Sequence, residues 1–473
     1  MNKLKLFIEN FLVYGLGGII SKIIPLIMVP IVTRLMPSSD YYGLSDLSNT
    51  VVSFASALAV MGMYDAMYRM FFEKDDEEYK KRICSTALMF TLFTSVVIFM
   101  VMILLKEQVA QSFFSNKKYA YIVYISAMAT LVGATNSIIS APTRMQNKRK
   151  IFLITNTLSP LISYAISIPM LLAGYYTIAL PLAAVISGVT MELTFAILNH
   201  SWFNPRKFDF SLLKQLLVIA IPLLPNFLIY WIFNSCDKVM ITNMIGIGAA
   251  GIYSVGSKLG HCSQLIYTAF AGGWQYFAFS TMKEDNQVKS NSMIFEYLGV
   301  ISFAATAFIC ALSYPLFKVL FTEQYLSGYI VAPYLFLAPL LQMLFQVACN
   351  QLIVVKKTWP NMFILSLGAV TNIAINYFLI PALGIEGASL ATLMGYAISD
   401  VICVIVLCKM KLMVVEKKFI IASLGMILFF VLWRMFISSN TILGLGLALV
   451  FCLFLLFLYR ADVSKLMQMI KKK

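Results

Sequence analysis

The sequence predicts an all-α polytopic membrane protein of about fourteen transmembrane helices, on three observations. Sixty per cent of its 473 residues are hydrophobic and only 12% are charged, and the mean hydropathy is +0.84, far outside the range of soluble domains. Apolar runs long enough to cross a bilayer of roughly 30 Å recur from end to end. Between them, Lys and Arg concentrate in alternate loops. A net charge of +15 on a soluble chain would point to nucleic acid. Here it reports loops on the cytoplasmic side, and nucleic acid is excluded as a partner.

Taken in order, the apolar runs place spans at residues 10–35, 43–69, 83–105, 119–141, 151–173, 177–199, 215–243, 249–278, 292–315, 329–354, 361–382, 385–408, 419–437 and 441–459. The first follows Lys3 and Lys5 and is too long for a signal-peptide core, so it stays as a span. With the N-terminus inside, 26 of the 36 Lys and Arg lie on cytoplasmic segments, five lie outside and five lie within spans. The chain is thus expected in a bacterial inner membrane with both termini cytoplasmic. The acidic run Glu73, Asp75, Asp76, Glu77, Glu78 reads as a solvated turn. Every loop is short, which leaves no room for an extramembrane catalytic domain and argues against an enzyme. Eight cysteines and the two histidines, His200 and His261, form no metal-ligand pattern, and no cofactor is expected. The phosphate-binding motif GxxxxGK[ST] is absent, so ATP is not the direct energy source.

The polar segment around 204–212 divides the chain. Ile31-Val-Thr followed by Gly43-Leu-Ser resembles Ile241-Thr242 followed by Gly251-Ile-Tyr, and Leu182-Ala183 to Glu192 matches Leu390-Ala391 to Asp400 at an offset of 208. The expected organisation is an N-terminal six-helix bundle (1–203), a cytoplasmic linker (204–212), a second six-helix bundle parallel to the first (213–410), and two further spans with a basic cytoplasmic tail (411–473).

Polar residues inside spans mark the candidate site, because a charged side chain at mid-bilayer costs at least roughly 2.5 kcal/mol and usually faces a bundle interior or a wet cavity. The first span carries Lys22, on a stripe with Gly15, Gly18 and Pro25. The second gives Asp46, Asn49, Ser53 and Ser56 at helical spacing. The seventh gives Asn226, Tyr230, Trp231 and Asn234, then Asp237 and Lys238. The eighth gives Ser254, Ser257, Lys258, His261, Gln264 and Thr268. One wet cavity shared by these spans accounts for all four sets. Lys22 and Lys258 have no acid three or four residues away and read as functional. Asp237 and Lys238 fit either a structural ion pair or a functional one. His261 reads as a satisfied polar contact rather than a proton carrier. Asp65 and Arg69, one turn apart, read as a helix-surface pair. Glu192 and Asp400 share a repeat position, with a structural or a functional role left open. Pro25, Pro30, Pro222 and Pro225 permit a bend or a fixed kink.

The opening FLVYGLGGIISKIIPLIMVPIVTRLMPSSDYYGL, the segment PALGIEGASLATLMGYAISD and the basic turn TRMQNKRK resemble the polysaccharide transporters of the multidrug/oligosaccharidyl-lipid/polysaccharide exporter superfamily, the group of O-antigen and capsule flippases. The resemblance covers most of the chain. It implies a V-shaped pair of six-helix bundles around a central cavity. It also implies alternating-access transport of an oligosaccharide linked to undecaprenyl diphosphate, from the cytoplasmic to the periplasmic leaflet. The implied partners are that lipid-linked oligosaccharide, membrane lipids, and the polymerase and glycosyltransferases of the same pathway. In that setting Lys22 and Lys258 are positioned to neutralise the diphosphate. Asp46, Asn49, Asn226, Tyr230, Trp231, Asn234, Lys238 and His261 complete the expected substrate-binding set, and Asp46 or Asp237 would couple a cation. Lysine stands here where the family often has arginine, so the contact would be a point charge rather than a bidentate fork. Two other classes are weighed. A cation-coupled multidrug antiporter would use a membrane-embedded acid, whereas the deep charges here are mainly basic. A membrane polymerase or glycosyltransferase would carry a sizeable outer loop, which is lacking.

Overall fold

A computed structural model describes residues 22–280, 286–357 and 359–464, and every regular element among them is helical. The chain packs as two compact units, Met1–Gly251 and Ile252–Lys473.

The first unit contains α1 (residues 22–35), α2 (Ser39–Val60), α3 (Met63–Phe71), α4 (Glu77–Leu104), α5 (Lys106–Phe114), α6 (Ala120–Met145), α7 (Arg149–Leu172), α8 (Ala179–Leu198), α9 (Phe210–Ala220), α10 (Leu224–Trp231) and α11 (Asp237–Met244). Short polar caps close these apolar helices by satisfying the first free backbone N–H groups. The Ser38 hydroxyl accepts from the Asp40 N–H at α2, Asp76 from the Glu78 N–H at α4, and Asp209 from the Ser211 and Leu212 N–H groups at α9.

What the sequence predicts as one second span, 43–69, is a pair of helices, α2 and α3, bent by 47°. Met61 and Gly62 both take positive φ, 49° and 75°. A Cβ at Gly62 would stand 2.6 Å from the Ala220 carbonyl oxygen, so only glycine lets α9 close on the break. Met63, Met67, Met70 and Phe71 of α3 then pack with Leu212, Leu216 and Ala220 of α9 in one buried core. A π-helical turn, Ile232–Cys236, separates α10 from α11.

The α12 helix (Ile247–Gly260) begins in the first unit and continues into the second. Its first turn crosses α2 at glycine. A methyl on Gly43 would overlap the Ile247 carbonyl oxygen, and one on Gly251 would overlap that of Ser39. The crossing is reciprocal, and both pairs of positions are separated by the 208-residue offset noted above.

The second unit continues with α13 (Ser263–Ser280), α14 (Gln287–Leu320), α15 (Val331–Val354), α16 (Trp359–Leu383), α17 (Ile385–Lys409), α18 (Lys417–Leu432) and α19 (Thr441–Leu458). α15 is the buried axis, with 20 of its 24 residues buried. The last two helices are an integral part of it. Arg434, in the π-helical turn after α18, pairs with buried Glu386 at 2.6 Å. Lys418 pairs with Asp462 at 2.7 Å, and the Glu416 N–H donates to Glu296 at 2.7 Å.

Among the described residues eleven helices are long and apolar enough to cross a membrane, or twelve with the bent pair. Two of the fourteen expected spans fall short for identifiable reasons. Residues 10–21 of the first lie outside the described residues. The eighth is broken at His261 and Cys262 into α12 and α13, neither of which meets the length and hydropathy required. Large apolar side chains on the outer faces, such as Leu449, Leu453 and Phe457 of α19, are the lipid-facing surface of such a chain.

Asp209 provides a pH test of the segment joining α8 and α9. The Leu212 N–H, then the Ser211 N–H and the Arg82 guanidinium, hold its carboxyl below the ordinary value of 3.8. A depressed folded pKa stabilises above the unfolded value and is lost as pH falls through the folded one. The expected outcome is therefore that amide exchange at Ser211 and Leu212 stays slow down to pH values near 3.8 and accelerates below it. Asp209→Ala should show the fast exchange at neutral pH.

Candidate functional site

The charged centre of the first unit is an ion pair between Asp46 on α2 and Lys238 on α11, 2.6 Å apart, with the two side chains 5% and 12% exposed. Its position follows from the local chain. Gly43, one turn before Asp46, brings α2 close to the start of α12, and the π-helical turn before Asp237 resets the face that α11 presents. The carboxylate of Asp237 lies next to this pair and contributes to the charge field at Lys238. It accepts the Lys238 backbone N–H at 2.8 Å and is itself buried. Two acids expected on separate spans are thus gathered around one lysine.

Below this centre, between α2, α3, α6 and α10, lies a cavity of about 450 Å³. Ser53, Ser56, Ser137, Tyr230, Trp231 and Asn234 contribute to its wall. The Trp231 indole N–H donates to the Thr50 carbonyl at 3.3 Å and to the Ser53 hydroxyl at 3.1 Å, and its ring packs on Phe54 with centroids 4.8 Å apart. These contacts fix one aromatic face in a wall of hydroxyls and amides, a surface suited to a sugar ring. Asn234 donates to the Tyr230 carbonyl at 2.7 Å. Asp65 also reaches the cavity, and no ion pair joins it to Arg69 among the described residues. The helix-surface pair expected from their spacing is therefore not formed.

A second cavity of about 390 Å³ adjoins the first, with Tyr64 and Ser137 common to both walls. α6, α7 and α8 build the rest of it, with Asn136, Arg144 and Asn156 among its lining residues. In sequence Arg144 reads as one more basic loop residue, although it sits in the last turn of α6, and its motif TRMQNKRK is the available signal.

The other expected site residues lie elsewhere. Lys22 is exposed on α1, Asn49 is exposed on α2, and Asn226 is half-buried on α10. In the second unit, Lys258 is exposed on α12 and His261 is half-buried at the break after it. Glu192 accepts a hydrogen bond from Thr135 at 2.5 Å, whereas Asp400 is buried with neither carboxylate oxygen hydrogen-bonded among the described residues.

Comparison with known proteins places this architecture. Residues 31–329 match the model of a family described as "Polysaccharide biosynthesis protein". The chain belongs to that family. Its fold is that of a lipid II flippase, MurJ, in an inward closed conformation, with a TM-score of 0.72 over 96% of this chain and 100% of that one at 15% identity. It is also that of an inward-facing multidrug resistance MATE transporter of the MOP superfamily, with a TM-score of 0.61 over 83% and 98% of the two chains at 13% identity. A MOP superfamily transporter from Pyrococcus furiosus, described as having a binding pocket of reverse polarity, aligns with a TM-score of 0.58 over 86% and 95% of the chains at 12% identity. No curated protein sequence matches the chain. The resemblance read from the opening segment and the TRMQNKRK turn thus agrees with both the family and the fold.

The ion pair sets a stability test. Removing one partner of a buried pair leaves an uncompensated charge and typically destabilises by about 3–5 kcal/mol, while neutralising both is far milder. Lys238→Ala is expected to lower the melting temperature of the purified protein sharply, and Asp46→Asn combined with Lys238→Gln to recover most of the loss. A double variant as unstable as the single one would show that the pair is not what holds α2 to α11.

Proposed function

We propose that the protein is a flippase for an oligosaccharide linked to undecaprenyl diphosphate, the repeat unit of an O-antigen, capsule or exopolysaccharide. It moves that substrate from the cytoplasmic to the periplasmic leaflet of the inner membrane by alternating access, with both of its own termini cytoplasmic. The observation that carries this reading is the cavity walled by Trp231, Tyr230, Asn234 and serine hydroxyls inside a membrane-spanning unit of a polysaccharide biosynthesis chain. Serine, asparagine and indole offer a glycan hydrogen bonds and a stacking face, while lipid offers neither.

Lys22 and Lys258 serve as the contacts to the carrier diphosphate, a reading supported by their exposure on otherwise apolar spans. Asn49, Asn226 and His261 belong to the same substrate path. The reciprocal crossing of Gly43 and Gly251 supports the two parallel six-helix repeats. Asp46 and Asp237 are the candidates for cation coupling: both bear on Lys238, so a cation arriving at Asp46 would take the place of that ammonium. Polymerase and glycosyltransferases of the pathway supply and consume the substrate, and no catalytic step is assigned to this chain.

The test is made in cells that depend on the protein for surface polysaccharide. Lys22→Ala with Lys258→Ala is expected to abolish the surface polymer, leave the variant in the membrane at wild-type amount, and accumulate the lipid-linked unit. Normal export by that double variant would refute the diphosphate role of the two lysines.

A further inference from the structure

The cavity between α3, α6, α7 and α8 lies wholly within the first unit and shares only Tyr64 and Ser137 with the cavity described above. Its distinguishing group is Arg144. The guanidinium donates to the Tyr64 hydroxyl at 3.1 Å and lies over the Phe152 ring, 5.2 Å from its centroid. These two contacts orient the fork while using one of its five N–H donors. No carboxylate pairs with it among the described residues. Nor is there an acid on the cavity wall, whose polar members are amides and hydroxyls: Asn136, Ser140, Thr143, Asn156 and Ser159. The nearest acid on α8, Glu192, is engaged with Thr135 and does not line the cavity.

A second, independent observation comes from Asn136. Its Oδ1 is buried and accepts no hydrogen bond, and a buried acceptor without a donor is costly and uncommon. The cavity therefore presents an oriented, unneutralised guanidinium at one end and an acceptor lacking a donor on its wall. An anion with no hydroxyl would satisfy only the first, and a neutral sugar only the second. A phosphorylated sugar satisfies both, with phosphoryl oxygens on the Arg144 fork and a sugar hydroxyl donating to the Asn136 carbonyl once that amide turns into the cavity. The volume of about 390 Å³ is of the size that holds a small polar ligand.

We propose that this cavity is a binding site for a phosphate-bearing sugar headgroup, separate from Lys22 and Lys258. Resting on the flippase reading, the ligand is the phosphosugar end of the lipid-linked substrate at its entry side. Because the Arg144 fork also holds Tyr64, which lines both cavities, a phosphate drawing the guanidinium toward itself releases that tyrosine and opens the wall between them.

The full chain, in nanodiscs of phosphatidylcholine, is titrated with polyprenyl diphosphate bearing N-acetylglucosamine, with unglycosylated polyprenyl diphosphate, and with phosphatidylglycerol. Arg144→Gln is expected to weaken both polyprenyl ligands by about tenfold or more, and Arg144→Lys to recover only part of it, since a point charge replaces a fork. Asn136→Ala is expected to weaken the glycosylated ligand alone. Thermal melting of each variant reports on folding, and a mild variant, Asn136→Ser, keeps the test open if the alanine unfolds the protein. Unchanged affinity in Arg144→Gln overturns the site while leaving the flippase reading intact. An equal loss for phosphatidylglycerol overturns the sugar assignment and makes this a general phospholipid headgroup site. Failure of the wild-type protein to bind any polyprenyl ligand overturns the proposed function and this site with it.

Discussion

The ion pair between Asp46 and Lys238 is the constraint on which the organisation of the first unit turns. Two charges in an apolar bundle are tolerated only when each has a partner at hydrogen-bond distance, and these are 2.6 Å apart. To bring them together, α2 must lie against the segment running from α11 into α12, and that approach is possible because Gly43 and Gly251 carry no side chain to separate the backbones. The π-helical turn at Ile232–Cys236 contributes the other half, since one extra residue in the turn shifts every following side chain round the helix. Polar stripes that are far apart in sequence thus become one site through two backbone features.

The same economy shapes the cavities. Helices that cross a bilayer must satisfy their backbone groups internally, so their polar side chains are free to line space between them. Where α2 breaks at Met61 and Gly62, α3 turns aside, and Tyr64 and Asp65 come to line the space between α2, α6 and α10. Hydroxyls, amides and indole wall one side of Tyr64, and an arginine with amides walls the other. The chemistry changes across Tyr64, from a wall that includes the Asp65 carboxylate to one that includes the Arg144 guanidinium.

Much of this was legible in the sequence. Hydropathy gave the all-helical membrane class and most of the spans, because the bilayer demands length and apolarity of each one. Polar residues at helical spacing led to Asp46, Lys238, Tyr230, Trp231 and Asn234, since the low dielectric makes such residues rare unless they face a cavity or a partner. Other features depend on what periodicity does not record. The bend at Gly62 arises from a left-handed backbone pressed on Ala220, and a hydropathy window runs through it unaltered. The pairing of Lys238 with Asp46 follows a π-helical turn that no periodicity marks. Arg144 was hidden by its neighbours, because a basic residue beside Lys148, Arg149 and Lys150 reads as topology, whereas its contacts with Tyr64 and Phe152 set it apart.

The most direct measurement follows polyprenyl-diphosphate-linked N-acetylglucosamine in sealed liposomes, using a membrane-impermeant glycosyltransferase to label only the sugar exposed on the outer leaflet. A flippase brings the whole pool within reach of the enzyme, and does so faster when the imposed potential favours movement of the anion toward the labelled side. Labelling that stops at the outer-leaflet share, with folded protein present in the liposomes and at every imposed potential, would contradict a role in translocating lipid-linked sugar.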